Sequence, residues 1–470
     1  MNSATLPRIK DYSVKGNLKF FLSFFLLIIP LFILVYSGIT KERLLLFVGL
    51  VMILDIAWNF QYSAYFLILT IFFSFYINFF HSSIYASVIL LISFMLTKPD
   101  FRLSQIQNPF TKPLLIYIVC VIPSLINSID PLLSIYNGIN LLAMIIIMYT
   151  VSIAIDKTQK IDRIIIWFLS LVALNAIYVI YLAAVSGKRV YGFPGVFYSD
   201  FAGLAAIMIT ILFILEEKSL KKIILGLITS LILIGLILTQ TRNSWIAFAL
   251  TFFALIIYLL GSLRIPSKTK RRAIAYTLVL VIVIIAIYFG AELLSRGIVT
   301  RSTSITTHKI NPESLESIGN NSLLTRVFIW HTALMAFLKH PIVGIGYSSF
   351  YFSSQLYYTI PAILFDMFAR GSHPHITYLA VLVETGIVGL IGFLIFLYSI
   401  AKHALKSLKL NQNCDEFKRT LLINWSFVYV FVSMGMTDAW LWGQITVLFG
   451  FLLGLTVANY KIISSKQIIV

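Results

Sequence analysis

Apolar runs of roughly 15 to 23 residues recur along almost the whole chain from Leu18 onward, each long enough to cross a hydrocarbon core of about 30 Å as a helix. In lipid every backbone N–H and C=O must be paired within the segment, which restricts unbroken apolar runs to helices. They fall near residues 18–36, 44–58, 63–80, 84–96, 114–126, 134–155, 164–185, 201–215, 223–239, 244–261, 273–290, 376–398, 421–436 and 445–460. The expected fold is an all-α polytopic membrane protein of about 12–14 transmembrane helices, the closely spaced runs between Leu44 and Leu96 setting the range. Composition agrees: 59% of residues are hydrophobic and 11% charged, against about 25% charged in soluble domains. The first run lacks a small-residue cleavage site and reads as a retained helix rather than a signal peptide. Two cysteines, Cys120 and Cys414, support neither a disulfide framework nor a thiolate metal site.

A net charge of +18 would suit a nucleic-acid ligand, but its distribution points to membrane topology instead. Alternate loops carry Lys98, Arg102 and Lys112; Lys157, Lys160 and Arg163; Lys218, Lys221 and Lys222; Arg264, Lys268, Lys270, Arg271 and Arg272; and Lys402, Lys406, Lys409, Lys418 and Arg419. Basic residues concentrate in cytoplasmic loops, so both termini are expected in the cytoplasm. The chain then divides into helices over 1–291, an outward loop over 292–375 and helices over 376–470. Within that loop a helix is expected from about Leu323 to Lys339, ended by His340-Pro341, and a shorter one around Ile363 to Ala369.

Basic residues on the outward side are not required by topology and suggest an anionic ligand there. Lys188 and Arg189 lie in a loop shaped by Gly187, Gly192, Pro194 and Gly195. Arg242 sits in the tight turn Thr239-Gln240-Thr241-Arg242-Asn243-Ser244-Trp245, where Ser244 is a plausible helix cap and open helix amides would favour a phosphate. The bland alternative is an interfacial arginine beside a belt tryptophan. Arg326 shares a helix stripe with Trp330, Ala333 and Phe337, so its guanidinium points to the apolar side and needs a partner: an anion, a carboxylate or lipid headgroups. His375 precedes the run from Ile376, where the positive end of a helix dipole favours a neutral imidazole, as a general base requires. A single histidine at a helix start is more often a cap or interfacial residue, and His373-Pro374-His375 is a poor metal site. Asp55 and Glu384 are acidic residues within spans, each either a packing contact or a functional group. No Walker loop, metal-binding aspartate pair or Gly-x-Ser-x-Gly elbow is present, so no cofactor or metal is expected.

Taken in order, these outward features resemble the O-antigen ligase and O-antigen polymerase superfamily of bacterial envelope proteins, which includes protein O-oligosaccharyltransferases. The resemblance runs from about Lys188 to Leu397. It rests on the glycine-rich loop from Arg189 to Gly195, on the Thr241-Arg242-Asn243-Ser244-Trp245 turn, and on Arg326 and Trp330 leading to Pro341, Gly344 and Gly346. The fourth piece is a histidine motif in which His375 is correctly spaced from Gly386 and Gly389. The family usually has Asn, Ser or Gln after that histidine; here the residue is Ile376, and Thr377 is the nearest polar substitute. The resemblance implies a fold similar to C-type glycosyltransferases and metal-independent, inverting transfer of a glycan from an undecaprenyl-diphosphate carrier at the outer face of a bacterial inner membrane. The acceptor would be a glycan or lipid A core. Lys188, Arg189, Arg242 and Arg326 would bind the diphosphate, and His375 would act on the acceptor hydroxyl, with Arg242, Arg326 and His375 carrying catalysis. Ligase and repeat-unit polymerase are both open, as is, from another class, a lipid-glycan flippase or transporter. A flippase needs charged or broken helices near the bilayer midplane.

Overall fold

The computed structural model describes residues 60, 62–77, 82–97, 108–186, 190–192, 195, 197–262, 265–295, 322–410, 414–437 and 443–467. The expected spans at 18–36 and 44–58, the candidate residues Lys188 and Arg189, and residues 296–321 of the outward loop lie outside that set.

The chain is an all-α polytopic membrane protein. In order the helices are α1 (Tyr62–Ile77), α2 (Ser82–Thr97), α3 (Thr111–Val121), continued by a 3-10 segment (Ile122–Asn127), α4 (Pro131–Ala154), α5 (Thr158–Ser186), α6 (Tyr198–Leu215), α7 (Ser219–Leu238), α8 (Arg242–Gly261) and α9 (Ser267–Ser295). Then come α10 (Ser322–Lys339), α11 (Phe350–Ser353), α12 (Ala362–Phe368), α13 (Thr377–Leu410), α14 (Cys414–Met434) and α15 (Gly443–Gln467). Among the described residues, seven of these helices are long and apolar enough to cross a membrane: α4, α5, α6, α7, α8, α13 and α15. Each described helix from α1 to α9, and from α13 to α15, falls on an expected apolar run.

Local chemistry sets the ends. Asp130 caps α4 by accepting the Leu133 amide at 2.9 Å, and Pro131 occupies the first helical position, where no N–H is needed. Enclosure identifies the centre: 83% of the apolar window of α6 and 89% of that of α15 is buried, the highest values in the bundle. α15 packs along α4, where Gly450 lies tight against the Met144 carbonyl and a β-carbon on Gly454 would fall within 2.5 Å of the Val151 side chain. α3 lies along α13, and α6 sits between α7, α8 and α14.

A second, smaller core belongs to the polar region before α13. Ile329, Ala333 and Ala336 of α10 pack with Ile345, Phe350, Tyr357, Phe365 and Val383, so that α10, α11 and α12 form a cap on the first turns of α13. Both expected helices of this region are present, within one residue of their expected ends.

Candidate functional site

The end of the bundle under this cap gathers four separate segments of chain. α8 starts at Arg242, with Thr241 as its N-cap in extended conformation. The turn before it is tight: Gln240 has φ 52°, and the indole Nε1 of Trp245 donates to the Leu236 carbonyl at 2.9 Å, tying the new helix to the end of α7. Ser244, expected as the cap, lies instead in the first turn of α8. Its hydroxyl donates inward to Asp200 Oδ1 and Ser199 Oγ, both at 3.0 Å. Trp245 is thus a structural clamp rather than simply a belt residue.

α10 brings Arg326 to this helix start. The Arg326 guanidinium Nη1 donates to Asn243 Oδ1 at 3.1 Å, so the apolar-side arginine finds an amide next to Arg242. One turn further along α10, Trp330 Nε1 donates to the Pro374 carbonyl at 2.8 Å, immediately before His375. Asn243 Nδ2 donates to the Met436 carbonyl at 2.7 Å, and the adjacent Thr437 carbonyl accepts both the hydroxyl and the backbone N–H of Thr377, at 2.6 and 3.0 Å. The chain segments that carry Arg242, Arg326 and His375 are therefore tied together, through Asn243, Trp330, Pro374 and Thr377, by hydrogen bonds linking the starts of α8 and α13, the body of α10 and the turn after α14. All three residues are half-buried.

His375 itself has φ 57°, a left-handed conformation uncommon for a side-chain-bearing residue, and lies two residues before the first residue of α13. Buried Pro374 and the Trp330 bond fix the backbone on one side, and Thr377 fixes it on the other. Thr377, the polar residue after Ile376, directs its hydroxyl and its N–H to the turn after α14. His373 faces elsewhere, its ring 5.1 Å from that of Tyr351. Among the described residues no three His, Cys, Asp or Glu side chains group closely enough to share an ion.

The glycine motifs form one unit below the histidine. α13 breaks at Gly386, which has φ 66° and ψ −167°. In an unbroken helix the N–H groups of Ile387 and Val388 would bond the carbonyls of Val383 and Glu384. The turn from His340 to Gly346 inserts between them: Ile387 and Val388 donate to the Pro341 and Ile342 carbonyls at 2.9 and 3.1 Å. The Val383 and Glu384 carbonyls accept from Ile345 and Gly346 at 3.2 and 3.0 Å. Gly344 (φ 74°) and Gly346 (φ 109°) make the turn, and a β-carbon on Gly344 would strike the Glu384 backbone. The Glu384 carboxylate accepts the Ser348 and Phe350 amides at 2.9 and 3.3 Å, and the Asn127 side chain donates to the Gly344 carbonyl at 3.0 Å. The open question over Glu384 resolves toward packing: it anchors the turn. Gly389 fits against the Thr385 side chain. The break is filled by the backbone of the turn.

Residues 225–394 match the family model described as O-antigen ligase. Over these residues the match supports the resemblance to the O-antigen ligase and polymerase superfamily. The O-antigen ligase stretch contains Arg242, Arg326, His375 and every glycine of the two motifs, whereas Lys188 and Arg189 precede it. The match supports a ligase- or polymerase-type function in general. No curated protein matches the chain.

Two residues close to this site carried no assigned role in the sequence. Asn243 is the junction between α8, α10 and α14. Asp200 is buried beneath it, accepting from Ser244 and from Ser433 at 3.2 Å. The apolar run begins at Phe201, but the helix begins at Tyr198, which draws Asp200 into its first turn. An acidic residue at the edge of a span was the available signal.

Proposed function

We propose that this protein transfers a glycan from an undecaprenyl-diphosphate carrier to an acceptor hydroxyl at the outer face of the bacterial cytoplasmic membrane. The observation that supports this reading is the gathering of Arg242, Arg326 and His375 within the O-antigen ligase stretch, at the bundle end opposite the lysine-rich loops. In this scheme the two guanidiniums, with Lys188 and Arg189 joining from their loop, neutralise the diphosphate as charge grows on its leaving oxygen. The acceptor oxygen bonds to the anomeric carbon from the face opposite the diphosphate, inverting that carbon. The carbon–oxygen bond to phosphate breaks, its electron pair leaves with the diphosphate, and His375 takes the acceptor proton. Such a donor carries its own leaving group, so the transfer draws on no ATP, and the arginines do the work a metal would otherwise do.

Membranes containing the protein, supplied with a lipid diphosphate-linked glycan and an acceptor, test this. Arg242→Ala and His375→Ala chains that insert at parental levels are expected to lose transfer by about 100-fold or more. Transfer at the parental rate in both would overturn the site. The acceptor separates the two members of the superfamily. A deletion strain that builds single-repeat product has lost a polymerase, and one that accumulates carrier-linked polymer has lost a ligase. Translocation of the carrier in vesicles without glycan transfer would favour a flippase.

A further inference from the structure

At the opposite end of the bundle α7 and α9 start side by side, from Ser219 and Ser267, and a cleft of about 330 Å³ runs between them. Gly226 and Ser230 of α7 face Ala275 and Val279 of α9 across it, and Phe213 and Tyr276 close its floor. Each pair is four residues apart and so lies along one stripe of its helix. Three of the four wall residues are small, which leaves the space unfilled. The polar groups in the walls are already satisfied. Thr229 donates to the Leu225 carbonyl at 2.7 Å and Ser230 to the Gly226 carbonyl at 3.1 Å, and the Tyr276 hydroxyl lies 3.3 Å from that of Thr210. The cleft therefore presents hydrocarbon.

Its mouth is different in kind. Lys222 and Arg272, each one turn before the small residues of its helix, line the entrance and are half-buried. Three basic groups at this end have acidic partners: Arg419 bonds Asp162 at 3.2 Å, Lys160 bonds Asp156 at 2.6 Å and Lys418 lies 3.7 Å from Glu216. Arg272 reaches only a carbonyl, that of Glu216, at 3.4 Å, and among the described residues neither Arg272 nor Lys222 has a carboxylate within ion-pair distance. Two partly desolvated cations over an apolar slot between membrane helices match one ligand class, an amphiphile with an anionic head and a hydrocarbon tail. The loops and first helical turns at this end carry Lys218, Lys221, Arg271 and Lys418, and basic residues of this kind mark the cytoplasmic leaflet.

We propose that the cleft between α7 and α9 is a binding site for an anionic glycerophospholipid of that leaflet, its phosphate between Lys222 and Arg272 and one acyl chain along Gly226, Ser230 and Ala275. The site is separate from the arginine and histidine cluster and does not depend on the glycan-transfer reading.

The full chain, purified and stripped of lipid, is titrated with dioleoyl-phosphatidylglycerol and with dioleoyl-phosphatidylcholine, bound lipid being counted by native mass spectrometry. One phosphatidylglycerol per chain is expected to bind in preference to phosphatidylcholine. At about fivefold per basic group, Lys222→Ala with Arg272→Ala weakens it roughly 30-fold. Ala275→Leu, which fills the slot and leaves both cations, is expected to remove the bound lipid as well. Equal binding of the two lipids, or parental binding by the double variant, overturns the proposal. So does displacement of the lipid by inorganic phosphate alone, which would mark a plain anion site, or a lipid-free dimer sealed along α7 and α9.

Discussion

Gly386→Ala tests whether the break in α13 and the turn from His340 to Gly346 are one structural unit. The backbone at Gly386, φ 66° and ψ −167°, lies in a region essentially closed to residues with a β-carbon, at a cost of about 1–3 kcal/mol. The added carbon would also fall against the carbonyl group of Ile342 and 2.6 Å from the Val343 nitrogen. These are backbone atoms and cannot swing aside as a side chain would. Moving them stretches the bonds from Ile387 to Pro341 and from Val388 to Ile342, at about 1 kcal/mol each. The sum is about 3–5 kcal/mol, a large fraction of the stability of an ordinary domain. Thermal unfolding of the detergent-solubilised protein, followed by tryptophan fluorescence, measures it. Gly138→Ala is the control: it lies within α4 with no atom within 4 Å of the new carbon, and helix propensity favours alanine there by about 1 kcal/mol. The expected result is a midpoint several degrees lower for Gly386→Ala and unchanged or raised for Gly138→Ala. Identical behaviour of the two would refute the reasoning.

Asn243→Ala removes the acceptor of the Arg326 bond, and the loss of a charge-assisted bond of about 1.5–3 kcal/mol should slow glycan transfer roughly 10- to 100-fold. Combined with Arg326→Ala it should add little, so additive losses in that double-mutant cycle would argue against a shared role. Trp330→Phe deletes the donor to Pro374 and is expected to lower transfer several-fold by loosening the His375 backbone, with the unfolding midpoint little changed. Asp200→Ala strands the Ser433 hydroxyl and leaves that of Ser244 with Ser199 alone, at a cost of about 1–3 kcal/mol, whereas Asp200→Asn keeps an acceptor and should unfold close to the parent. Burial acts to raise the pKa of Glu216, but the amides of Lys218 and Glu217 and the charges of Lys418 and Lys221 outweigh it and leave the carboxyl below its ordinary value. Its contribution is therefore present at neutral pH and lost as pH falls through that lowered value. Glu216→Gln should be less stable than the parent at pH 7 and indistinguishable from it in acid.

The helices were legible because each is written locally, as an apolar run bounded by charge, proline or glycine. The helix from Ser322 to Lys339 could be read the same way, from the stop at His340-Pro341. Arg242, Arg326 and His375 stood out because charge and imidazole are scarce in this chain. What joins them was not legible: Asn243 is an unremarkable loop amide until α10 and the turn after α14 arrive beside it. Asp200 was hidden by a helix that begins three residues before its apolar run. Pro341, Gly344 and Gly346 read as a turn and Gly386 and Gly389 as a separate pattern. Nothing in their spacing states that the carbonyls of one accept the amides of the other, since that pairing spans roughly 40 residues and exists only in three dimensions.

That pairing also constrains how the protein enters its membrane. A helix with two diverted amides and two diverted carbonyls cannot rest alone in hydrocarbon, where each unpaired group costs several kcal/mol. α13 becomes a lipid-compatible segment only with the turn from His340 to Gly346 already seated in its break. The turn is synthesised first and lies close by in the chain, so it is at hand when α13 leaves the insertion machinery. Seating the turn and delivering the helix to the bilayer are then a single event, and a chain that misfolds the turn should be recognised as an insertion failure before any site has formed.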